Sequence, residues 1–415
     1  MVGQGDTSIR YPRRTLITAA SACVLTACAK QAIPVTRAAR SVSVSVDFGT
    51  GENGGWPTDA TFYLPLVRAF EARHPGIGLR VIGGLSNTAD LLSGQSDPDV
   101  LLVTQRTLQA LETDLRPAMR QSNWPTSELL PNTLSAFTTA GGRILAVPCD
   151  PAPVGIVYDA AALQEAEVLP PREGWSFAQF VATLQKLKER YPDRDNFADG
   201  QLDTRTALYW TVLTGYGAPI LDGGTLAPPQ TSTLQALSAL HDFQAAVHRP
   251  SPTLPPLLTL QAFTGVHPET RVPAGFDVIR FPRLPVTDVV PGVVAGFSVN
   301  PLATHHEGAA EFVLWTTSME AQQTFVALGV PPVLQGVPGA SKWWRQLPVS
   351  LASVRANVRY VPGFLAVGQL GSEWWSLISA IANAPSSSQR GALLAKAVRQ
   401  INITKLGASV NGQRT

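Results

Sequence analysis

Residues 42–48 place Val42, Val44 and Val46 in alternation with Ser43, Ser45 and Asp47, a period of two that predicts a strand with one buried face. A glycine-rich turn follows, Gly49-Thr50-Gly51-Glu52-Asn53-Gly54. The period then changes. Residues 62–71 carry Leu66, Val67 and Phe70 on one stripe of a helix, which His74-Pro75-Gly76 ends. Residues 79–82 and 99–103 read as the next two strands, the latter a continuous apolar run; 108–115 reads as a helix and 144–147 as a fourth strand. Strands and helices in turn imply a mostly parallel sheet covered on both faces.

From Pro151 the pattern restarts with a short strand at 154–158 and becomes largely helical to about residue 249. Trp175-Ser176-Phe177-Ala178-Gln179 opens one helix, with Ser176 as N-cap, Gln179 completing a capping box, and Trp175 stapling the entry rather than stacking on a ligand. Residues 250–273 are rich in proline, show no clear period and read as loop. Strands are expected at 276–281 and 293–299, and a single long helix at 307–328, closed by Gly329 ahead of Pro331 and Pro332. Residues 372–401 read as two helices split by Pro385-Ser386-Ser387-Ser388.

The N-terminus carries a signal of another kind. Arg10, Arg13 and Arg14 precede an apolar stretch at 16–27, which is shorter than the ~20 residues a bilayer-spanning helix needs and has the flanks of an export leader. Pro12-Arg13-Arg14-Thr15-Leu16-Ile17 resembles a twin-arginine export motif, and Leu25-Thr26-Ala27-Cys28 resembles a lipobox. That resemblance implies removal of residues 1–27 and acylation of Cys28, and hence an exported protein lipid-anchored at the outer face of the cytoplasmic membrane. The leader takes three arginines and Asp6 with it from a chain of formal charge +2, leaving a mature chain near neutrality. Nothing supplies the basic face a nucleic-acid binder needs. Of the 3 cysteines, Cys23 lies in the leader and Cys28 is the acylation site, so Cys149 has no disulfide partner. A chain of 415 residues exceeds what one hydrophobic core usually serves, and two domains are expected.

A dinucleotide site requires the third glycine of the turn to open a helix and an acidic residue at the tip of the next strand. Here Gly55-Trp56-Pro57-Thr58 delays the helix and the second strand runs into Gly83-Gly84, so both requirements fail. No lysine follows a glycine, which excludes a Walker loop. No Gly-x-Ser-x-Gly elbow occurs. His305 and His306 are adjacent, a spacing that points two side chains apart, and read as a solvated turn rather than a metal pair. Paired carboxylates of a glycoside hydrolase meet in space and leave no local spacing, so an exported glycoside-acting hydrolase stays open as an alternative.

The order of motifs resembles the family 1 extracellular solute-binding proteins of ABC importers, the group of maltose-binding protein. The carriers are the first strand with its glycine turn; Phe70-Glu71-Ala72-Arg73-His74-Pro75-Gly76-Ile77; Asp97-Pro98-Asp99-Val100; Gly141-Gly142-Arg143-Ile144-Leu145-Ala146-Val147-Pro148; Val157-Tyr158-Asp159 with Gly174-Trp175-Ser176-Phe177; and Glu307-Gly308-Ala309-Ala310-Glu311-Phe312. The resemblance implies an α/β protein of the two-lobe periplasmic-binding-protein type (type II), each lobe a mixed sheet flanked by helices. Lobe 1 would comprise 41–149 with 291–330, lobe 2 150–290 with 331–415, with residues 28–40 as linker and crossings near 148–153, 282–291 and 329–337.

It further implies a non-enzymatic, monomeric binder without cofactor or metal, which captures a small polar solute, a sugar or oligosaccharide, and delivers it to an ABC permease. A ligand-binding sensor component is a second alternative. Ligands of open α/β sheets sit beyond the carboxyl ends of strands, where Glu52, Asn53 and Trp56 follow the first strand and Gln105 and Arg106 the third. Asp150 stands at the first crossing, where a carboxylate would accept sugar hydroxyls. The resemblance adds Gly296 and Phe297 in the returning strand and Trp374 as a ring stacked on a sugar face; of Trp374 and Trp375, adjacent on a helix, only one is expected to reach the cleft. Residues 251–275 lack the family's usual strand and aromatic, so Trp210, with Tyr209 and Tyr216, is a looser candidate.

Overall fold

The alternating segment forms β1 (Val42–Asp47) with Val44 and Val46 fully buried. The computed structural model describes residues 42–47, 60–82, 98–104, 113–139, 141–199, 202–219, 221–222, 225–250, 253–263, 272–341, 345, 347, 357–363 and 369–411. In α1 (Leu64–Arg73) a proline occupies the first turn, where its missing N–H breaks no helical bond, and Leu66, Val67 and Phe70 are buried as the stripe predicts. The strands β2 (Ile77–Ile82) and β3 (Val100–Thr104) flank β1 and run parallel to it. The helix expected at 108–115 falls mostly outside the described residues, and a short α2 (Arg116–Gln121) follows it.

Three prolines suggested a break between residues 148 and 153, since each lacks a ladder donor. The chain instead runs through them as one strand of 13 residues, β4 (Val147–Asp159), which absorbs the irregularity in a register shift between Pro148 and Asp150. After α3 (Ala160–Glu165), capped by the Asp159 carboxylate at 3.0 Å from the Ala162 N–H, α4 (Phe177–Arg190) begins with the expected capping box. There the Gln179 N–H donates to Ser176 Oγ at 3.2 Å and the Ser176 N–H donates to Gln179 Oε1 at 2.7 Å. Trp175 is buried at the helix entry, its indole N–H donating to the Arg280 carbonyl at 3.2 Å.

Then come α5 (Leu202–Gly215), the short pair β5 (Leu221–Asp222) and β6 (Thr225–Leu226), and α6 (Thr231–Ala246). Within the stretch read as loop lies β7 (Leu258–Ala262), where Leu258 and Leu260 are buried and Thr259 and Gln261 are not. Flanking prolines hide this short period. The strands β8 (Phe276–Arg280) and β9 (Val290–Val299) appear as expected. The single helix expected at 307–328 is two, α7 (His306–Trp315) and α8 (Met319–Ala327). Thr316 and Thr317 turn their hydroxyls back onto the carbonyls of Val313 and Leu314, and Ser318 Oγ accepts the Ala321 N–H at 3.1 Å, so the second helix starts on its own cap. The end of α8 is marked by Gly329 at φ 83°. The chain finishes with β10 (Val358–Tyr360), α9 (Gln369–Ala382) and α10 (Ser387–Asn411).

Eight strands form one sheet in the order β2-β1-β3-β9-β4-β7, with β10 on β9 and β8 on β4. Because β9 is antiparallel to both β3 and β4, the sheet is mixed, not mostly parallel. Residues 147–153 of β4 pair with β9, whereas residues 154–159 lie between β7 and β8. One strand thus serves both ends of the sheet. Two large cores follow this division. Val44, Val46, Phe70, Val100, Phe297, Phe312 and Phe325 make one; Ile156, Phe177, Phe180, Phe243, Leu260, Trp374 and Ile378 make the other. In a third, smaller cluster Val358 and Tyr360 pack with Leu101, Val103 and Phe137.

Candidate functional site

The two ends of the sheet meet where β4 leaves β9. Ala295 of β9 pairs with Thr104, the last residue of β3, on one side and with Asp150 on the other. Asp150 therefore lies level with the carboxyl end of β3, just past the bulge in β4, and is only 1 % exposed. Tyr360 of β10, which pairs with Gly292 of β9, is held far above its ordinary phenol range by burial and then by the Asp150 charge. Burial, reinforced by Asp150, also pushes the Cys149 thiol up. At the mouth of β1 the buried Asp47 adds its charge to the burial of Tyr63, whose phenol is likewise raised, with a smaller push from Cys149.

Asp47 thus acts on Tyr63, and Asp150 on both Cys149 and Tyr360; near neutral pH the two phenols and the thiol keep their protons. The carboxylates accept hydrogen bonds and the phenols can donate them, and all four side chains are buried. No group of three potential metal ligands exists among the described residues. The His305–His306 pair sits at the start of α7, with the His305 N–H donating to Asp99 Oδ1 at 3.0 Å.

Two tryptophans expected at the site lie on helices packed into the second core. On α5, which packs across β9 and β10, Trp210 is half-buried and packed against the second core, and its indole N–H is buried without a hydrogen-bond partner. Trp374 on α9 is 4 % exposed and its indole N–H is also unpartnered. Burying a donor in this state costs ~1–3 kcal/mol, a cost that an incoming acceptor could offset. Trp375 is buried too, at 8 % exposure, so neither member of the pair offers an open ring face in this conformation.

Of the other expected positions, Phe297 is a core residue. It is fully buried, its ring 5.7 Å from that of Phe312 and 6.3 Å from that of Phe325. The register of β9 turns Ala295, Phe297 and Val299 toward the first core, which removes the Phe297 ring from ligand contact. At Gly296 an added Cβ would stand 2.7 Å from the Val147 carbonyl oxygen and 2.8 Å from the Phe137 ring, so the glycine permits close packing of β9. Glu52, Asn53, Trp56, Gln105, Arg106 and Cys28 lie outside the described residues. Sequence reasoning missed Asp47, Tyr63 and Tyr360. The acid ending the alternating run of β1 was a usable signal for Asp47, whereas the three-residue β10 offered none for Tyr360.

A family model described as bacterial extracellular solute-binding protein matches residues 54–323. No curated protein matches significantly. Among solved structures, the chain is similar to an ABC substrate-binding protein from Listeria monocytogenes in complex with cycloalternan, with TM-score 0.64 and 14 % identity over 88 % of this chain and 99 % of that one. It is also similar to UgpB from Mycobacterium tuberculosis in complex with glycerophosphocholine (TM-score 0.61, 17 % identity, 87 % and 98 % covered). Maltose-bound MalE3 of T. maritima gives TM-score 0.59 at 17 % identity, with 87 % and 100 % covered.

Proposed function

Because the chain belongs to the bacterial extracellular solute-binding protein family, we propose that it captures a sugar or oligosaccharide by closing two lobes and delivers it to an ABC permease. The observation that carries the reading is the pair of shared strands: β4 and β9 join both ends of the sheet, and the buried Asp150 stands at their crossing. A solute bridging Asp150, the Trp210 and Trp374 indoles and the loops after β1 and β3 would gain contacts only when the lobes approach. That differential is what drives closure. The ligands named for two of the similar structures, cycloalternan and maltose, support a carbohydrate; glycerophosphocholine in a third extends the range to other polyol-bearing solutes.

The proposal assigns residues 41–149 with 291–330 to one lobe and 150–290 with 331–415 to the other. The two large cores support this division, while the packing of Val358 and Tyr360 on Leu101 and Val103 ties the start of the last segment to the first sheet. It also includes a leader at 1–27 with twin-arginine character and a lipid on Cys28, supported by the motif order; mass spectrometry of the native N-terminus tests this part. The protein binds its solute as a monomer and returns it unchanged.

Titration calorimetry over a panel of oligosaccharides and polyols is the decisive experiment. Saturable 1:1 binding is expected, weakened about tenfold or more in Asp150→Asn through loss of charge-assisted hydrogen bonds. Chemical turnover of a bound sugar would replace this reading with that of a hydrolase.

A further inference from the structure

Away from the crossing strands, between α5 and α6, a cavity of about 290 Å3 opens to the surface, lined by Arg205, Arg249, Asp199, Gln244, Phe243 and Leu208 among others. Arg205 Nε donates to Asp199 Oδ2, and Arg249 Nη2 lies 3.2 Å from Asp199 Oδ1. Each oxygen of the one carboxylate is thus engaged by a different guanidinium, and the lining keeps a net positive charge. Arg249 Nε is also committed, to the Phe197 carbonyl at 3.2 Å, but both arginines keep further N–H groups. Their side chains are 44 % and 40 % exposed, so a small solute can reach them.

Gln244 adds an independent sign of a missing partner. Its Nε2 donates to Tyr209 OH at 2.8 Å and to Ser379 Oγ at 3.1 Å, while its Oε1 is buried with no partner. Both partners are hydroxyls, which donate as readily as they accept, so the amide can turn over and present its NH2 in place of the stranded oxygen. The cavity lining offers two guanidiniums to an anionic head, with Phe243, 5 % exposed, and Leu208, 1 % exposed, as apolar surface.

We propose that this cavity is a second binding site, separate from the solute cleft, for a small organic monocarboxylate. Its carboxylate is held by Arg205 and Arg249 and its apolar body rests on Phe243 and Leu208. The proposal does not depend on the identity of the transported solute.

Benzoate is a suitable probe, titrated calorimetrically into the full chain at low ionic strength. Saturable 1:1 binding is expected. The double variant Arg205→Gln/Arg249→Gln should weaken it at least about tenfold, and Gln244→Glu, which adds a like charge without changing shape, should weaken it in the same direction. Asp150→Asn, at the crossing, should leave it unchanged. Circular dichroism confirms folding of each variant, and Gln244→Glu stands as the independent test should the double variant fail to fold. Absence of saturable binding to the wild-type chain overturns the proposal, as do unchanged affinity in a folded lining variant and loss of binding in Asp150→Asn.

Discussion

Replacing Asp99 with alanine tests whether the first sheet is held by one buried carboxylate. Asp99 is 3 % exposed. Its Oδ2 accepts the Ser45 N–H and the Ser45 hydroxyl, both at 2.8 Å, and its Oδ1 accepts the His305 N–H at 3.0 Å. The residue thus ties β1 to the entry of β3 and to the start of α7. In Asp99→Ala the serine hydroxyl can rotate to another acceptor, but the two backbone donors cannot. At ~1–3 kcal/mol for each stranded donor, the loss is roughly 2–6 kcal/mol. Urea unfolding at pH 7 should show it as a lower midpoint with an unchanged slope.

The pH dependence supplies a second reading of the same variant. Burial raises the Asp99 pKa, but the hydrogen bonds from the Ser45 and His305 backbones and the Ser45 side chain together outweigh it and hold the carboxyl below its ordinary value. A depressed folded value means that the stabilisation is present above the unfolded pKa of about 3.9 and is lost as pH falls through the folded value. The gap between wild type and variant should therefore narrow in acid. A loss under about 1 kcal/mol at pH 7 would refute the reasoning.

Gly296→Ala should lower the melting temperature and cost about 1–3 kcal/mol, because its Cβ meets the Val147 carbonyl oxygen at 2.7 Å and a strand backbone retreats poorly; a variant as stable as wild type would show that β9 can shift. Ser176→Ala should cost about 1 kcal/mol in chemical denaturation through loss of the capping box on α4. Cys149, fully buried with its thiol pushed up by burial and Asp150, should resist a thiol reagent at pH 8 in the native protein and react at once in denaturant. Rapid labelling of the folded chain would show that β4 opens.

The elements legible in the sequence were those whose periodicity stands alone: the alternation of β1, the stripe of α1 and the Ser176–Gln179 box each name their structure locally. The misses have a common cause, which is that the deciding partner lies elsewhere in the chain. Prolines in β4 argued for a break, yet residues 151–153 pair with β9 alone, β7 and β8 joining only from 154 onward, and a strand paired on one side tolerates proline. The five residues of β7 count as a strand because β4 runs beside them. The break between α7 and α8 was locally encoded, in Thr316-Thr317-Ser318, and was masked by apolar spacing continuing across it. At the candidate site Asp150 was readable as a charge in an otherwise apolar stretch. The burial of the Phe297 ring was also readable, from its alternation with Ala295 and Val299, but the family motif drew attention to the backbone position instead.

The placement of β9 has a consequence for how the molecule is made. This strand sits between β3 and β4, yet it is synthesised only after α4, α5 and α6 have left the ribosome. Until then β3 presents an unpaired edge beside β1, and the nascent sheet lacks its middle member. Closure of that gap is a long-range event of the kind that slows folding and leaves sticky edges available to neighbours. The amino-terminal third is therefore an unfinished object on its own, and a fragment ending before Val290 should recruit chaperones or aggregate rather than settle as an independent domain.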